Sequence, residues 1–329
     1  MKMHSRARRL SQLALAALLA PLAVSVQAAA PADNYPSKSI RIIASGPGSS
    51  SDYLSRFVGQ KMTEKWGQQV VVENRVGAGG TLGTDAAAKA APDGYTLVMG
   101  NGGTFAVAVA LYRNLPYDPV RDFAPITLVS SMTMMMVVHP SVPVANVSAF
   151  VSYAKQKNGL NYSSTGNGTL SHLTGELFKQ ITGTNIQHVP YKSGAAVTAI
   201  VSGEVQVSFL SPVTASAQVK AGKIKALAVS SRTRVIGAPD IPSATEAGIA
   251  AWEAELWYGL FTTAKTPKPI VVKLNRGIGE ILASPEVKDT IQKQGGVSAP
   301  STPEALGALV KAELAKWTPI VKAAGITAD

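Results

Sequence analysis

Residues 40 to 62 read IRIIASGPGSSSDYLSRFVGQKM, and this stretch decides the fold class. The apolar, β-branched run over 40–44 predicts a strand, and the Gly/Ser-rich segment that follows predicts a loop. A helical period then begins, carried by Leu54, Phe57, Val58 and Met62. A strand, a glycine-rich loop and a helix in this order leave free backbone N–H groups at the helix start, where anions bind.

The same order recurs along the chain. Apolar runs bounded by Gly, Pro, Asn or Ser predict buried parallel strands at 70–73, 95–100, 160–164, 186–190, 205–210 and 224–230. A second helical period is carried by Leu173, Leu177, Phe178 and Ile181. Alternating strands and helices predict an α/β fold with right-handed crossovers.

The length of 329 residues favours two domains over one hydrophobic core. Residues 123–140 read FAPITLVSSMTMMMVVHP and predict the first passage between them. Their methionines could form a soft binding surface, but a buried crossing strand fits better because Met fills cores readily. The C-terminal part, with PIVVKLNRGIGEIL and PEALGALVKAELAKWTPIVKAAG, predicts helices without an intervening strong strand. The predicted division is 35–131 plus 232–329 as one domain and 132–231 as the other.

The first 28 residues predict a cleaved secretory signal. Their basic start contains Lys2, Arg6, Arg8 and Arg9, the apolar core reads LALAALLAPLAV, and VQA precedes Ala29. A membrane anchor is the alternative, but the apolar core is shorter than the roughly 20 residues that a spanning helix needs. The sequence therefore predicts export to the periplasm.

Composition excludes several classes of protein. The sequence has no cysteine, which excludes disulfide bonds and a lipid-anchored N-terminal cysteine. The net charge is +11, and it falls to +7 without the four basic residues of the signal. That excess favours an anionic ligand or simply a solvated basic surface, and no motif supports nucleic-acid binding.

Motifs for catalysis are missing. The patterns G-x-x-x-x-G-K-[ST], G-x-S-x-G and H-E-x-x-H do not occur, and GAGGTLG at 77–83 lacks the dinucleotide-binding spacing. His139, His172 and His188 are far apart in sequence, so no metal and no cofactor are expected. His139 and His188 are best interpreted as residues that pack or form hydrogen bonds in the fold. His172 differs, because it belongs to a second glycine-rich loop.

This second loop lies in NYSSTGNGTLSHL at 161–173, again between a predicted strand and a predicted helix. Either loop alone would be read as ordinary N-capping. Two loops of one chemical type, one in each predicted domain, could face each other across a cleft and present N–H groups and hydroxyls to one ligand. The pair therefore favours binding.

The chain from about Tyr35 to Asp329 resembles the Bug family, the extracytoplasmic solute-binding receptors of tripartite tricarboxylate transporters. The resemblance is carried by segments such as WGQQVVVENRVGAGGTLGTDAAAKAAPDGYTLVMG, LPYDPVRDFAPITLV, LNYSSTGNGTLSHLTGELF and VPYKSGAAVTAIVSGEVQVSF. It implies a two-domain type II periplasmic binding protein fold that closes on a small carboxylated ligand, with the ligand cleft between the domains. It also implies inner-membrane transporter subunits as partners and a monomeric receptor that is not an enzyme.

The resemblance also implies which residues bind the ligand. One carboxylate is held in such relatives by amides, hydroxyls and waters between the two loops, and Trp257 with Tyr258 would add a wall. The implied ligand-binding residues are Gly48, Ser49, Ser50, Ser51, Asp52, Gly79, Gly80, Asn101, Thr104, Phe105, Ser164, Thr165, Asn167, Gly168, Thr169, His172, Tyr191, Lys192, Phe209 and Ser211. For Phe105, a ring that faces the core is the alternative to a pocket wall.

The chain departs from the family pattern at two places. Relatives commonly carry Pro-Pro-Gly-Gly after the first strand, where this chain has SGPGSSSD. Relatives often carry Asp at the end of the strand VQVSFLS, where this chain has Leu210 and Ser211. Because a desolvated ammonium needs a negative partner, the missing Asp predicts a plain carboxylic acid rather than an amino acid.

Three functions stay open from the sequence. The first is a periplasmic receptor that delivers a small organic acid to a membrane transporter. The second is a ligand-sensing protein that signals to a membrane sensor without transport. The third, a secreted enzyme on the same fold, is weakened by the missing nucleophile, base or metal constellation.

Overall fold

The structure is a computed structural model that describes residues 34–191, 195–236, 238–293 and 295–327, without the side chain of Val213. The predicted signal at 1–28 and Lys192 lie outside the described residues.

The strands, in chain order, are β1 Ile40–Ala44, β2 Val70–Asn74, β3 Thr96–Asn101, β4 Phe123–Thr133, β5 Met135–Val138, β6 Leu160–Ser164, β7 Ile186–Pro190, β8 Val207–Leu210, β9 Lys225–Val229, β10 Glu255–Thr263 and β11 Val297–Ser298. The α-helices are α1 Ser50–Trp66, α2 Thr81–Ala88, α3 Ala108–Leu111, α4 Val147–Gln156, α5 Leu170–Thr182, α6 Ala195–Ser202, α7 Pro212–Lys220, α8 Lys268–Ala283, α9 Pro285–Lys293 and α10 Pro303–Ala323. A 3-10 turn, Ala78–Gly80, precedes α2, and a π-helical turn, Gly103–Val107, precedes α3.

The strands form two sheets. The first has the order β11-β4-β10-β3-β1-β2, and the second has the order β7-β6-β8-β5-β9. In each sheet a β-α-β unit pairs its strands in parallel, β1 with β2 and β6 with β7. The carboxyl ends of these parallel strands carry the two glycine-rich loops, which is the usual location of ligand sites in open α/β sheets.

Sequence patterns predicted most of these strands correctly. All seven predicted β-branched runs form strands, with ends within two residues of the prediction. The expectation of parallel pairing was wrong for 224–230, because β9 pairs antiparallel with β5. The helices expected at both ends of the chain are also present as α1, α8 and α10.

The sequence patterns missed strand β10. It precedes α8, lies between β3 and β4 in the sheet and pairs antiparallel with both, whereas only the two-residue β11 lies between α8 and α10. Its inner positions are buried, including Trp257, Leu260 and Phe261. A strand in the middle of a sheet is stabilised by partners distant in sequence, which local patterns do not reveal.

The chain passes between the sheets at Met134. Strand β4 belongs to the first sheet and β5 to the second. Of the four methionines, Met134, Met135 and Met136 are buried, which confirms the buried crossing strand. Met132 is only partly buried and lines two cavities.

One buried hydroxyl joins the chain segments at this crossing. Ser230 Oγ lies 3.1 Å from the Thr133 hydroxyl, accepts from the Met134 N–H at 2.9 Å and donates to the Ala254 carbonyl at 2.5 Å. Ser230 is completely buried. Three passages of the chain therefore meet at one side chain.

Residues after the crossing at Ser230 first pack on the second sheet. Trp252 is fully buried beside Phe178 and Phe209, and its indole N–H donates to the Thr174 carbonyl of α5. The chain rejoins the first sheet only at β10. The division into domains 35–131 plus 232–329 and 132–231 stays a prediction.

Candidate functional site

Loop 1, residues 45–52, joins β1 to α1. Ser49 caps the helix by accepting the Asp52 N–H at 3.2 Å, and Gly48 donates its N–H to the Asp52 carboxylate at 3.0 Å. The Ser51 hydroxyl accepts the Ser45 N–H at 3.3 Å. The N–H groups of Ser50 and Ser51 belong to the first two helical residues and have no acceptor within the helix. They can therefore donate to a bound anion.

Loop 2, residues 165–172, joins β6 to α5 and repeats this pattern. Gly168 donates its N–H to Nδ1 of His172 at 3.1 Å, as Gly48 does to Asp52. The Ser171 hydroxyl accepts the Thr165 N–H at 3.0 Å, as Ser51 accepts from Ser45. In each loop, the glycine N–H is thus bound by the side chain four residues later, Asp52 in loop 1 and His172 in loop 2.

The backbones of the two loops also agree. Gly48 has φ +75° and Gly168 has φ +71°, both in the left-handed region that favours glycine. The N-cap residues match as well, with φ −73°, ψ 161° at Ser49 and φ −72°, ψ 159° at Thr169. The sequence correctly predicted two loops of one type. The structure shows that they agree at the second glycine and at the N-cap backbone, and that they differ at the first glycine, since Gly166 has φ +130° and Gly46 is not in the left-handed region.

Asp52 holds loop 1 with its charge. Its buried carboxylate also accepts from the Asn74 amide at 2.9 Å and pairs with Arg56 at 2.8 Å. Burial opposes ionisation, but the Gly48 N–H, Asn74 and Arg56 together hold the pKa of Asp52 below its usual value. This carboxylate is therefore committed to the loop and to helix α1.

His172 holds loop 2 as a neutral ring. It is buried and stacks on His188, with ring centroids 3.7 Å apart and planes 6° apart. His188 Nε2 in turn lies 2.6 Å from the Ser164 hydroxyl. Burial lowers the pKa of His172, and burial together with the neighbouring His172 lowers the pKa of His188 to about 4. Since Nδ1 of His172 accepts a hydrogen bond, protonation there would break the link to Gly168.

These histidines predict acid sensitivity. In the unfolded chain a histidine titrates near pH 6.5, but the folded protein keeps both rings neutral to lower pH. Between about pH 6.5 and pH 4 the unfolded state binds more protons, so stability falls as the pH is lowered through this window. Urea unfolding at pH 7 and pH 5 should show a loss of about 1 kcal/mol from His188, after allowance for its partial exposure. The fall in unfolding free energy between pH 7 and pH 5 should be smaller in the variant His188→Gln than in the variant His139→Gln. Equal falls in the two variants would contradict the assignment of the acid sensitivity to His188.

Residues of the first sheet gather beside loop 1. A Cβ added at Gly80 would lie 3.1 Å from both the Ser45 hydroxyl and a methyl group of Thr104. Thr104 is buried, and its N–H donates to Oδ1 of Asn101 at 3.1 Å. Three of the predicted ligand-binding residues, Gly80, Asn101 and Thr104, thus lie in one cluster with loop 1.

A cavity of about 170 Å³ opens directly at loop 1. It is lined by Gly48, Ser49, Ser50, Tyr53, Leu54, Ser130, Met132, Tyr258, Ile291 and Gly296. Tyr258 and Ser50 both line it, and burial raises the pKa of Tyr258 while the nearby Ser50 side chain opposes this shift. The cavity therefore adds an aromatic hydroxyl to the polar groups of loop 1.

Two predicted wall residues lie in the core instead. Phe105 is fully buried and stacks on Phe261 at 4.0 Å, and Phe209 is fully buried beside Tyr162 and Trp252. The expectation that these rings face a ligand is therefore wrong, and for Phe105 the core alternative holds. Both rings fill space behind the strand ends, because a buried aromatic ring contributes most where it is packed on all sides.

The remaining predicted residues are spread over both sheets. Tyr191 donates its hydroxyl to Glu204 at 2.8 Å, and Ser211 caps α7 by accepting the Thr214 N–H. Gly79 lies in the 3-10 turn, and Asn167 is an exposed residue of loop 2. Trp257, expected as a wall with Tyr258, is buried and donates to Glu313 at 3.2 Å.

The end of β8 has no negative charge of its own. Leu210 is buried in an apolar cluster with Met135 and Val229, and Ser211 forms the helix cap. The structure thus agrees with the sequence argument that this strand end offers no carboxylate to a ligand ammonium.

The sequence analysis missed two residues that support the loops. Asn74 ends β2 and donates to the Ser45 carbonyl at 2.7 Å as well as to Asp52, and His188 supports Ser164 from β7. Both lie on the strand that pairs in parallel with the loop-bearing strand. The parallel pairing of these strands was the signal that could have identified Asn74 and His188, since parallel neighbours end at the same edge of a sheet.

Within the described ranges, no helix has the length and apolar character needed to cross a membrane. The same ranges contain no group of three or more His, Asp or Glu side chains placed to hold a metal ion.

Solved structures with this fold are solute-binding proteins. The chain is 30% identical to R. palustris Rpa4515 with adipate, at a TM-score of 0.73, and the match covers 89% of this chain and 99% of that one. It is 32% identical to MatC from Rhodopseudomonas palustris with bound malate, at a TM-score of 0.69, covering 87% and 100%. The architecture is therefore that of a two-domain periplasmic binding protein.

The family is shown by the sequence as well. The model of the tripartite tricarboxylate transporter family receptor matches residues 54–326, so the chain belongs to this family of extracytoplasmic receptors. It is also 32% identical over 298 residues to protein BugT of Bordetella pertussis, covering 89% of this chain and 91% of that protein. These comparisons confirm the resemblance to the Bug family, which consists of receptors and not of enzymes.

Proposed function

We propose that the protein is a periplasmic receptor that captures a small carboxylic acid between loop 1 and loop 2. The observation that carries this proposal is that the two loops enter their helices in the same way, with matching N-cap backbones and a glycine N–H bonded to the side chain four residues later, and that each begins a helix with free N–H groups. The positive end of each helix dipole adds to the attraction for an anion. A carboxylate could then be bound by backbone donors without a basic side chain.

The ligand that fits best is a plain mono- or dicarboxylic acid. Adipate and malate in the two related structures support this class. An α-amino acid fits less well, because Leu210 and Ser211 offer no charge at the end of β8 and Asp52 is already engaged by Gly48, Asn74 and Arg56. An unpaired buried ammonium would cost several kcal/mol.

The partner is proposed from the family. Membership of the tripartite tricarboxylate transporter receptors supports delivery of the acid to two inner-membrane transporter subunits by a monomeric receptor. The N-terminal signal predicted from the sequence supports the periplasm as its location. A sensor that signals to a membrane protein without transport is the second candidate, and no observation on the chain favours it.

The ligand class is tested by thermal shift. We expect adipate or malate to raise the Tm by about 3–8 °C when present at 100-fold above Kd, because a ligand that binds only the folded state stabilises it by mass action. Aspartate, which carries an ammonium group where malate has a hydroxyl, and glutamate, an amino dicarboxylate one carbon shorter than adipate, should leave the Tm unchanged at the same concentration. Stabilisation by glutamate or aspartate alone would overturn the proposed ligand class.

A further inference from the structure

A second, larger cavity lies beside the two crossing segments. Its volume is about 970 Å³, and we call it the hinge cavity. Helix α7 of the second sheet forms one wall, α9 and β11 of the first sheet form another, and both crossing segments form the floor. Volumes of 300–1,000 Å³ are typical of small-molecule sites.

The charges at the hinge cavity favour an anion. Lys220 at the end of α7 and Lys288 on α9 line it from opposite sides, and neither forms an ion pair with a described residue. Arg234 also lines the cavity, but it is paired with Glu246 at 2.9 Å. The acidic lining residue is Glu255, so the lining has more basic than acidic side chains, and burial raises the pKa of Glu255.

The rest of the lining favours an apolar ligand body. Met132 and Val235 contribute apolar walls, together with Ile236 and Val297. Ile236 is 69% exposed and Val297 is 42% exposed, which is unusual for large aliphatic side chains. A ligand that covers them would remove apolar surface from water.

We infer that the hinge cavity is a second binding site, for an amphipathic organic anion with an aromatic or aliphatic body. Its body lies against Met132, Ile236 and Val297, and its acidic group lies between Lys220 and Lys288. Because both sheets contribute walls, such a ligand binds tightest at one spacing of the two halves. It therefore shifts the population towards that spacing.

The test uses 8-anilinonaphthalene-1-sulfonate, a fluorescent amphipathic anion, with the full mature chain. We expect saturable binding at one site per chain, and about tenfold weaker binding by the double variant Lys220→Gln/Lys288→Gln. Ile236→Glu should weaken binding as well, and its exposed position keeps folding intact.

The matched control is Lys268→Gln/Lys311→Gln. These two lysines line a separate apolar cavity of about 560 Å³. Their substitution removes the same amount of charge as the substitution of Lys220 and Lys288. The affinity of this control variant for the dye should stay within twofold of the affinity of the unaltered protein. Equal weakening in both double variants, or binding that does not saturate, would overturn the hinge site.

The outcome is independent of the loop site. Stabilisation by adipate or malate should be the same in Lys220→Gln/Lys288→Gln as in the unaltered protein, because neither lysine lies at loop 1 or loop 2. If neither acid stabilises any variant, the proposed ligand class fails while the dye result still decides the hinge cavity. Loss of adipate or malate stabilisation in that double variant alone would show one continuous site and overturn the second one.

Discussion

Replacing Ser50 by proline is expected to weaken carboxylate binding by about ten- to a hundredfold while leaving the fold intact. The substitution removes one free N–H at the start of α1, and a hydrogen bond to a charged group contributes about 1.5–3 kcal/mol. Proline suits the first position of a helix because its fixed φ is already helical. Calorimetry with the acid that gives the largest thermal shift measures the change in Kd.

The chain itself shows that proline fits at this position. Helix α10 begins with Pro303 after Thr302, whose φ −72°, ψ 159° match the φ −73°, ψ 161° of Ser49. Helix α7 begins with Pro212 in the same way. The control Ser50→Ala keeps the N–H and removes the hydroxyl, which lines the same cavity as Tyr258. If Ser50→Ala weakens binding as much as Ser50→Pro, the hydroxyl rather than the backbone is the donor.

Removing the Asp52 carboxylate is expected to destabilise the protein by about 2–3 kcal/mol. Asp52→Ala leaves the Gly48 N–H, the Asn74 amide and Arg56 without their shared acceptor, and each bond to a charged group contributes about 1.5–3 kcal/mol before relaxation. Urea unfolding at pH 7 measures this loss. Binding should weaken as well, because Gly48 is no longer held in the loop conformation.

Asp52→Asn provides the comparison. It keeps one acceptor oxygen without the charge, so its loss of stability should lie between those of the unaltered protein and Asp52→Ala. The exposed Asp289→Ala, which removes a surface pair with Lys293, should change stability by less than about 1 kcal/mol. A small effect of Asp52→Ala, similar to that of Asp289→Ala, would show that loop 1 holds its shape without this carboxylate.

The sequence predicted the strands of both β-α-β units because their signals are local. Runs such as IRIIA and LNYSS are short and rich in apolar residues, with serine on both sides of the first and glycine before the second, and each forms a parallel strand. Strand β10 was not predicted, because it begins with Glu255, contains Gly259 and is stabilised by antiparallel partners far away in sequence. Its position in the sheet was not readable from its own residues.

The candidate site was predictable in its backbone and less so in its side chains. Glycine and serine spacing identified both loops, since a positive φ and a helix cap need particular residues. The direction of an aromatic ring next to a loop depends on how the following turn is wound. At Phe105 that turn is π-helical, and the ring enters the core. The equivalence of Asp52 and His172 appears only when the two loops are compared in space.

The Ser230 hydroxyl at the crossing has a mechanical consequence. It contacts β4, the link to β5 and the segment before β10 through three short hydrogen bonds in a fully buried position. Sliding one half of the molecule past the other would break all three and leave buried polar groups unpaired. We therefore expect this point to keep its geometry when the two halves move, and the Met134 amide, which donates to Ser230, should exchange slowly with solvent both with and without ligand.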